Sequence, residues 1–187
     1  AAYRPYMEPG DWVVVIGDGP IGQFGAQAAR VRGGRTILVG HRQQRLDAAA
    51  AFSADHALAE SPEMVEQIRA ITDQYHIPVI IDTVQRHDVQ AAYLPLLQRE
   101  EGQIVYSGFS PGETWASMAD LHKAELTTHY ISGITRPRMG ATLQLMAKGK
   151  LTLSPLITHR VSFDQAPAMY QMIDTKSEPF LSIVFEW

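Results

Sequence analysis

The chain of 187 residues has no cysteine, so it forms no disulfide and offers no thiolate to a metal. No apolar run approaches the roughly 18–20 residues that a membrane-crossing helix needs, and no signal-peptide pattern opens the chain. Blocks of like charge are also missing. Against 16 Lys and Arg stand 20 Asp and Glu, a formal net charge of −4, and the basic residues are scattered. This argues against a nucleic-acid surface and against a polybasic membrane anchor. There is no repeat, no low-complexity tract, no Gly-x-Ser-x-Gly elbow and no P-loop lysine. The chain opens on Ala1-Ala2-Tyr3 without Met, which reads as a piece cut from a longer protein. What is present is ordinary: 45% hydrophobic and 19% charged residues, the balance of a soluble globular domain, expected to be cytoplasmic.

The hydrophobic pattern alternates between two periods. Trp12 to Ile16 (WVVVI) is a short apolar run rich in β-branched residues, the mark of a strand buried on both faces. From Pro20 to Arg32 the period becomes helical, with Ile21, Phe24, Ala28 and Val31 in register and Pro20 where a first turn tolerates it. The same reading predicts strands at 36–39, 57–58, 78–81, 103–106 and 126–131. Helices are predicted at about 43–52, after Ser61 as N-cap, at 88–97, 115–123 and 137–148, the last closed by Gly149. Strands alternating with helices imply βαβ units and an α/β fold with a doubly wound, parallel six-stranded sheet. A β-α-β tail from Leu156 to Phe185 follows, and either extends this sheet or belongs to a second domain. Residues 1–152 are read as the first domain and 153–187 as a C-terminal segment.

The first strand-turn-helix contains Gly17-Asp18-Gly19-Pro20-Ile21-Gly22. Gly17 permits the tight turn, Gly19 lets a pyrophosphate approach the backbone, and Gly22 lets the helix pack closely. Free amides at the helix N-terminus, with its positive dipole end, would hold the diphosphate of a dinucleotide. The alternative is a glycine-rich turn in another α/β domain. The context of buried strand, helix and βαβ unit favours a Rossmann dinucleotide site. Asp18 would repel a diphosphate unless its side chain turns away, and it is expected to point out.

The second strand ends Val39-Gly40-His41-Arg42, without the acid that holds the ribose hydroxyls of NAD. Gly40 leaves room for a 2′-phosphate, Arg42 can bind it, and Arg45 one turn on can add to it. NADP is therefore favoured over NAD. The alternative makes Arg42 a solvated residue at a helix start.

With these residues in hand the chain resembles the cofactor-binding part of the medium-chain dehydrogenase/reductase superfamily, the group of zinc alcohol, sorbitol and threonine dehydrogenases. The resemblance runs from Glu8-Pro9-Gly10-Asp11 through Gly22 and Ala26-Gln27-Ala28-Ala29, Arg45-Leu46 and Ala54-Asp55-His56. It continues through Ile81-Asp82-Thr83-Val84, Gly102-Gln103-Ile104-Val105, Glu125-Leu126-Thr127 and Gly149-Lys150-Leu151, and reaches Leu156-Ile157-Thr158-His159-Arg160. The resemblance implies an NAD(P)-dependent oxidoreductase moving hydride between an alcohol or carbonyl and nicotinamide. It places Thr83-Val84 and Ser107-Gly108-Phe109-Ser110 beside the nicotinamide half of the cofactor. It likens Gly40-His41-Arg42 to the Gly-Ser-Arg of NADP-dependent secondary alcohol dehydrogenases. It implies a homodimer paired through the 126–131 edge strand, and zinc, if used, held by an N-terminal catalytic domain that this chain lacks.

Three departures weigh against parts of this. Gln85 stands where many relatives have Gly, Phe180 where relatives often carry a base for the cofactor phosphates, and Glu60 where a Tyr flanks the 2′-phosphate. Other residues tempt but carry duller explanations. Asp120, His122, Glu125 and His129 have ligand-like spacing across a helix-to-strand passage that spoils one ligand face. His159 reads as structural, or as the floor of a pocket completed elsewhere. Trp115, Met118, Met139, Met146, Met169 and Met172 read as core or interface. Tyr106, Ser107 and Lys123 do not make the Tyr-x-x-x-Lys pair of short-chain dehydrogenases. Two rivals remain: a non-catalytic dinucleotide-binding module, and an S-adenosylmethionine methyltransferase, which would need an acid where Gly40 stands. Substrate candidates are polyols, amino alcohols, secondary alcohols and the hydroxyethyl group of a chlorophyll precursor.

Overall fold

Eight strands and seven α-helices account for the regular structure of the computed structural model, which describes residues 1–109 and 115–187. Six strands form one parallel sheet: β1 (Trp12–Ile16), β2 (Arg35–Gly40), β3 (His56–Ala59), β4 (Val79–Asp82), β5 (Gln103–Tyr106) and β6 (Thr127–Tyr130). Their order is β3-β2-β1-β4-β5-β6, so the chain reverses direction across the sheet between β1 and β4. This is the Rossmann fold. Alternate residues of each strand face opposite sides, and the core splits accordingly. Val14, Ile16, Ile37, Val39, Ile80 and Ile104 pack in one layer; Val13, Val15, Leu38, Val79, Ile81 and Val105 pack in the other. Each such side chain, fully buried, is worth about 1.5–3 kcal/mol. An uninterrupted run such as Trp12–Ile16 is what a strand covered on both faces requires, and every residue of it is buried.

The helices are α1 (Pro20–Val31), α2 (Gln43–Ala48), α3 (Met64–Ile71), α4 (His87–Tyr93), α5 (Met118–Lys123), α6 (Arg136–Ala147) and α7 (Ala166–Thr175). The face that α1 buries is lined by Gly22, Gly25, Ala26 and Ala29, so the helix axis can come close to the sheet. Pro20 lies in its first turn. The predicted 43–52 helix is two pieces: α2, then a wider π-type turn over Ala49–Ser53. Ser61 is not the N-cap of α3. That position is Glu63, whose amide donates to the Ser61 hydroxyl at 3.2 Å, because a turn intervenes before the helix begins.

The tail does not extend the sheet. β7 (Ile157–Ser162) and β8 (Ser182–Glu186) pair with each other in parallel across α7. Thr152 just before this unit is bonded to the buried Gln27 of α1, donating its amide at 2.7 Å and accepting the side-chain amide at 3.1 Å. No helix among the described residues is long and apolar enough to cross a membrane.

Candidate functional site

The registers align the carboxyl ends of the central strands: Ile16 lies beside Val39 and Asp82, and Asp82 beside Tyr106. The loops leaving β1, β2, β4 and β5 therefore line one crevice at the β1/β4 switch point, where open α/β sheets bind ligands. The predicted residues 17, 19–22, 40–42, 45, 83–84 and 107–109 all lie on these loops, on the helix starts that follow them or, for Gly40, at the last position of β2.

The glycine loop is shaped by what its residues lack. Gly17 has φ +112°, and a Cβ there would overlap the Thr83 hydroxyl oxygen. That hydroxyl donates to the Ile16 carbonyl at 2.8 Å, closing β4 against β1. A Cβ on Gly22 would overlap the Gly17 carbonyl. Gly19 differs, because nothing lies within 4 Å of where its Cβ would be. It is the N-cap of α1 and no side chain caps this end of the helix. Among the described residues the Ile21 and Gly22 amides have no acceptor, and Pro20 has no amide to offer. The site thus presents unpaired donors and the positive end of a twelve-residue helix dipole beside an open glycine, which fits a dinucleotide diphosphate. The Ile21 side chain itself is turned aside. It lines a cavity of about 720 Å³ between α1 and α6, together with Phe24, Ile131, Leu145 and Leu151.

At the end of β2 the structure corrects three expectations. Asp18 does not point out: it is only 3% exposed. Its carboxylate reaches across to β2, where one oxygen accepts the His41 and Arg42 amides, both at 2.9 Å. The space beside Gly40 is consequently not left for a phosphate, since a Cβ there would lie 2.6 Å from Asp18 Oδ2. Nor is Arg45 free. It donates to Asp18 Oδ1 at 3.3 Å and twice to the Phe180 carbonyl, at 3.0 and 2.6 Å. Burial lowers the Arg45 pKa, and the nearby Arg42 charge lowers it further. Arg42 remains the cation without a hydrogen-bond or ion-pair partner among the described residues, and His41 is exposed, its ring 3.9 Å from Asp18. Glu60 is not an open negative charge, because Arg86 pairs with it at 2.9 Å. Beside it a cavity of about 300 Å³, lined by Ile16, Val39, Pro62, Met64 and Val89, has the size and apolar walls that suit an adenine ring.

The β4 and β5 ends are organised by Asp82, for which the sequence pattern indicated no role of its own. Asp82, fully buried, accepts the Val84 and Gln85 amides at 2.9 and 2.8 Å and the Tyr93 hydroxyl at 2.8 Å. Burial pushes its pKa up, while these hydrogen bonds oppose the rise. The Tyr93 phenol is also raised, chiefly by burial, and the Tyr106 phenol, which accepts from Gln90, is raised to about 12 for the same first reason. The bonds to Asp82 bend the chain so that Gln85 sits at φ +55°, which explains why glycine suits this position. Thr83 and Val84 border Gly17. Gly108 packs so tightly on the Thr83 carbonyl that a Cβ would lie 2.5 Å from it. The Ser107 hydroxyl and the Gln85 side-chain carbonyl are buried without partners among the described residues, and Phe109 is exposed. Ser110 lies outside the described residues.

Sequence reasoning also missed Gln23, whose side-chain amide donates to the carbonyls of Asp18 and Arg45 at 3.3 and 2.9 Å. A buried glutamine one turn into a helix that follows a glycine loop was the available signal. Asp120, His122, Glu125 and His129 are not brought together. Among the described residues no group of three or more His, Asp or Glu side chains could hold a metal. His129 instead meets the Gln103 side chain at 3.2 Å.

The family model described as zinc-binding dehydrogenase matches residues 20–148, more than half of the chain. The chain belongs to the zinc-binding dehydrogenase family. It is 28% identical over 172 residues to L-galactonate-5-dehydrogenase of Escherichia coli K12, covering 91% of this chain and 50% of that protein. Over 177 residues it is 27% identical to sorbitol dehydrogenase of Halalkalibacterium halodurans, covering 92% and 51%. Two crystal structures share the fold. An alcohol dehydrogenase of Thermotoga maritima matches at TM-score 0.84 and 24% identity, over 97% of this chain and 52% of that one. A short chain alcohol dehydrogenase of Escherichia coli CFT073, complexed with NADH, matches at 0.81 and 21%, over 98% and 54%. The chain spans about half the length of the curated relatives it matches.

Proposed function

We propose that this chain is the cofactor-binding part of an NAD(P)-dependent oxidoreductase that interconverts an alcohol and its carbonyl compound. The observation that carries the reading is the open flank of Gly19 beside the unpaired Ile21 and Gly22 amides, at the switch point of the sheet. The diphosphate binds there, the adenine enters the cavity beside Val39 and Met64, and the nicotinamide extends toward Thr83, Val84, Ser107, Gly108 and Phe109. The bound dinucleotide supplies the hydride chemistry. The chain's own residues bind and orient it, and zinc, if the whole enzyme uses it, has its ligands outside this chain. The names of the relatives favour a polyol or sugar-derived alcohol as substrate. Residues 1–152 form the cofactor domain and 153–187 the segment that turns back toward the substrate domain. Two copies pair through the edge strand β6, whose outer side has no strand neighbour among the described residues.

Within this reading the cofactor is NADP(H). Arg42 supplies the free cation at the ribose, and the two nearby acids, Asp18 and Glu60, are each paired with an arginine. One charge-assisted hydrogen bond of this kind contributes about 1.5–3 kcal/mol, roughly ten- to a hundredfold in affinity. The test is a fluorescence titration of NADPH and NADH against the chain and its Arg42→Ala variant. NADPH should bind more tightly, and Arg42→Ala should remove that advantage while leaving NADH nearly unchanged. Failure to bind either dinucleotide would overturn the oxidoreductase reading. Equal affinities that the substitution does not alter would overturn the NADP(H) assignment alone.

A further inference from the structure

Asp18 occupies the second position of the glycine loop, where a carboxylate aimed at the ligand would oppose a diphosphate. The structure removes it from that role completely. Its side chain crosses from the β1 loop to the end of β2 and is 4% exposed there. Oδ2 takes the His41 and Arg42 amides, and Oδ1 faces the Arg45 guanidinium at 3.3 Å. Arg45 also donates Nε and Nη2 to the Phe180 carbonyl. Gln23 ties the backbone carbonyls of Asp18 and Arg45 together from below. The net is closed, with both carboxylate oxygens engaged.

This arrangement needs a glycine at residue 40. Any Cβ there would overlap the Asp18 Cβ and stand 2.6 Å from Oδ2 and 2.7 Å from Cγ. Asp18 and Gly40 therefore form an interlocked pair. Two consequences follow for the end of β2. The carboxylate found there is turned inward, 4% exposed and held by two amides and a guanidinium, so it is not presented to a ribose hydroxyl. Meanwhile the backbone of residues 41 and 42 is pinned to the glycine loop, with Arg42 in an extended conformation at φ −110°, ψ 113°. The residue carrying the unpartnered guanidinium is thus fixed relative to the loop that would hold the diphosphate.

We infer that Asp18 is a positioning residue for cofactor choice: interlocked with Gly40 and filling the space beside it, it pins the backbone of Arg42 so that the guanidinium, farther out, meets a 2′-phosphate. The inference rests on the NADP(H) reading above and adds to it the residue that makes Arg42 effective. Arg45, which the sequence pattern suggested as a second phosphate ligand, is the counter-charge of this device and does not contact the cofactor. The Phe180 carbonyl also connects the device to the C-terminal segment.

The test measures NADPH and NADH dissociation constants for the chain and for Asp18→Ala, Asp18→Asn, Gly40→Ala and Arg42→Ala, with circular dichroism to confirm folding. Asp18→Ala should weaken NADPH about tenfold and NADH less than about threefold, the size of one lost charge-assisted contact. Asp18→Asn keeps an oxygen for the two amides and should hold the NADPH:NADH ratio within about threefold of the parent. It also carries the test if the alanine variant does not fold. Gly40→Ala should displace the carboxylate and mimic Asp18→Ala, and the double variant should lose no more than either single one. Equal weakening of both ligands by Asp18→Ala, with Arg42→Ala still selective for NADPH, would reduce Asp18 to a structural role and overturn the inference. Tighter NADPH binding by Asp18→Ala would overturn it as well. An Arg42→Ala chain that binds both ligands as the parent does would overturn the inference together with the NADP(H) reading.

Discussion

The two halves of the crevice are prepared in opposite ways. On the β1–β2 side the shape comes from side chains that are missing: Gly17, Gly22 and Gly40 each admit a neighbouring atom where a Cβ would stand. On the β4–β5 side it comes from a side chain that is present, since the buried Asp82 gathers two amides and a phenol and so folds the 83–85 turn. A site built on absences is broken by adding atoms, and one built on a buried acceptor by removing it. The first kind is visible in a sequence because glycines at a fixed spacing are conspicuous. The second kind is not.

The sharpest way to break the first half is Gly22→Val. Its side chain cannot coexist with the Gly17 carbonyl, so the loop or the start of α1 must move. It should cost about 3 kcal/mol or more in a urea unfolding experiment and remove detectable dinucleotide binding. An unchanged midpoint would mean that the loop is softer than the packing implies. For the second half the counterpart is Asp82→Ala, which leaves the Val84 and Gln85 amides and the Tyr93 hydroxyl without their acceptor. Each orphaned buried group costs about 1–3 kcal/mol, offset in part because a desolvated carboxylate is removed. A net loss of about 2–3 kcal/mol is expected, with Asp82→Asn intermediate.

Gln85→Gly runs the other way. It relieves a left-handed backbone and deletes a buried carbonyl that has no partner among the described residues, so it should raise stability by about 1 kcal/mol. A fall in the urea midpoint would show that the Gln85 side chain holds the β5 loop in place. A further effect is one of pH. Burial holds the Tyr106 phenol at about 12 rather than its ordinary 10.0. A group whose folded value lies above its unfolded one contributes stability that is complete below the unfolded value and is lost as pH rises through the folded one. The urea midpoint should therefore decline above about pH 10, and Tyr106→Phe should make that decline shallower, the buried Tyr93 phenol accounting for the rest.

The fold was legible because the central strands and α1 carry their own pattern. Trp12–Ile16 and Gln103–Tyr106 were bounded correctly by β-branched runs and the glycines beside them. The tail was harder to place, since β7 alternates half-buried and exposed residues and that pattern does not say which sheet it joins. At the crevice, the tight packing of Gly17 and Gly22 followed from their spacing. Asp18 did not, because whether a carboxylate faces solvent or a backbone amide twenty-three residues away depends on where β2 ends relative to β1. The pairing of Arg45 with Asp18 was hidden for the same reason. Long-range polar pairs of this kind leave no periodic trace.

The central claim, that the mouth of α1 is a diphosphate site, is tested most directly by following backbone amide resonances while dinucleotide is added to the labelled chain. The Gly19, Ile21 and Gly22 amides should show the largest shifts and saturate together with the fluorescence titration. Saturable binding that leaves those three signals where they were, with the changes clustered elsewhere, would contradict the account.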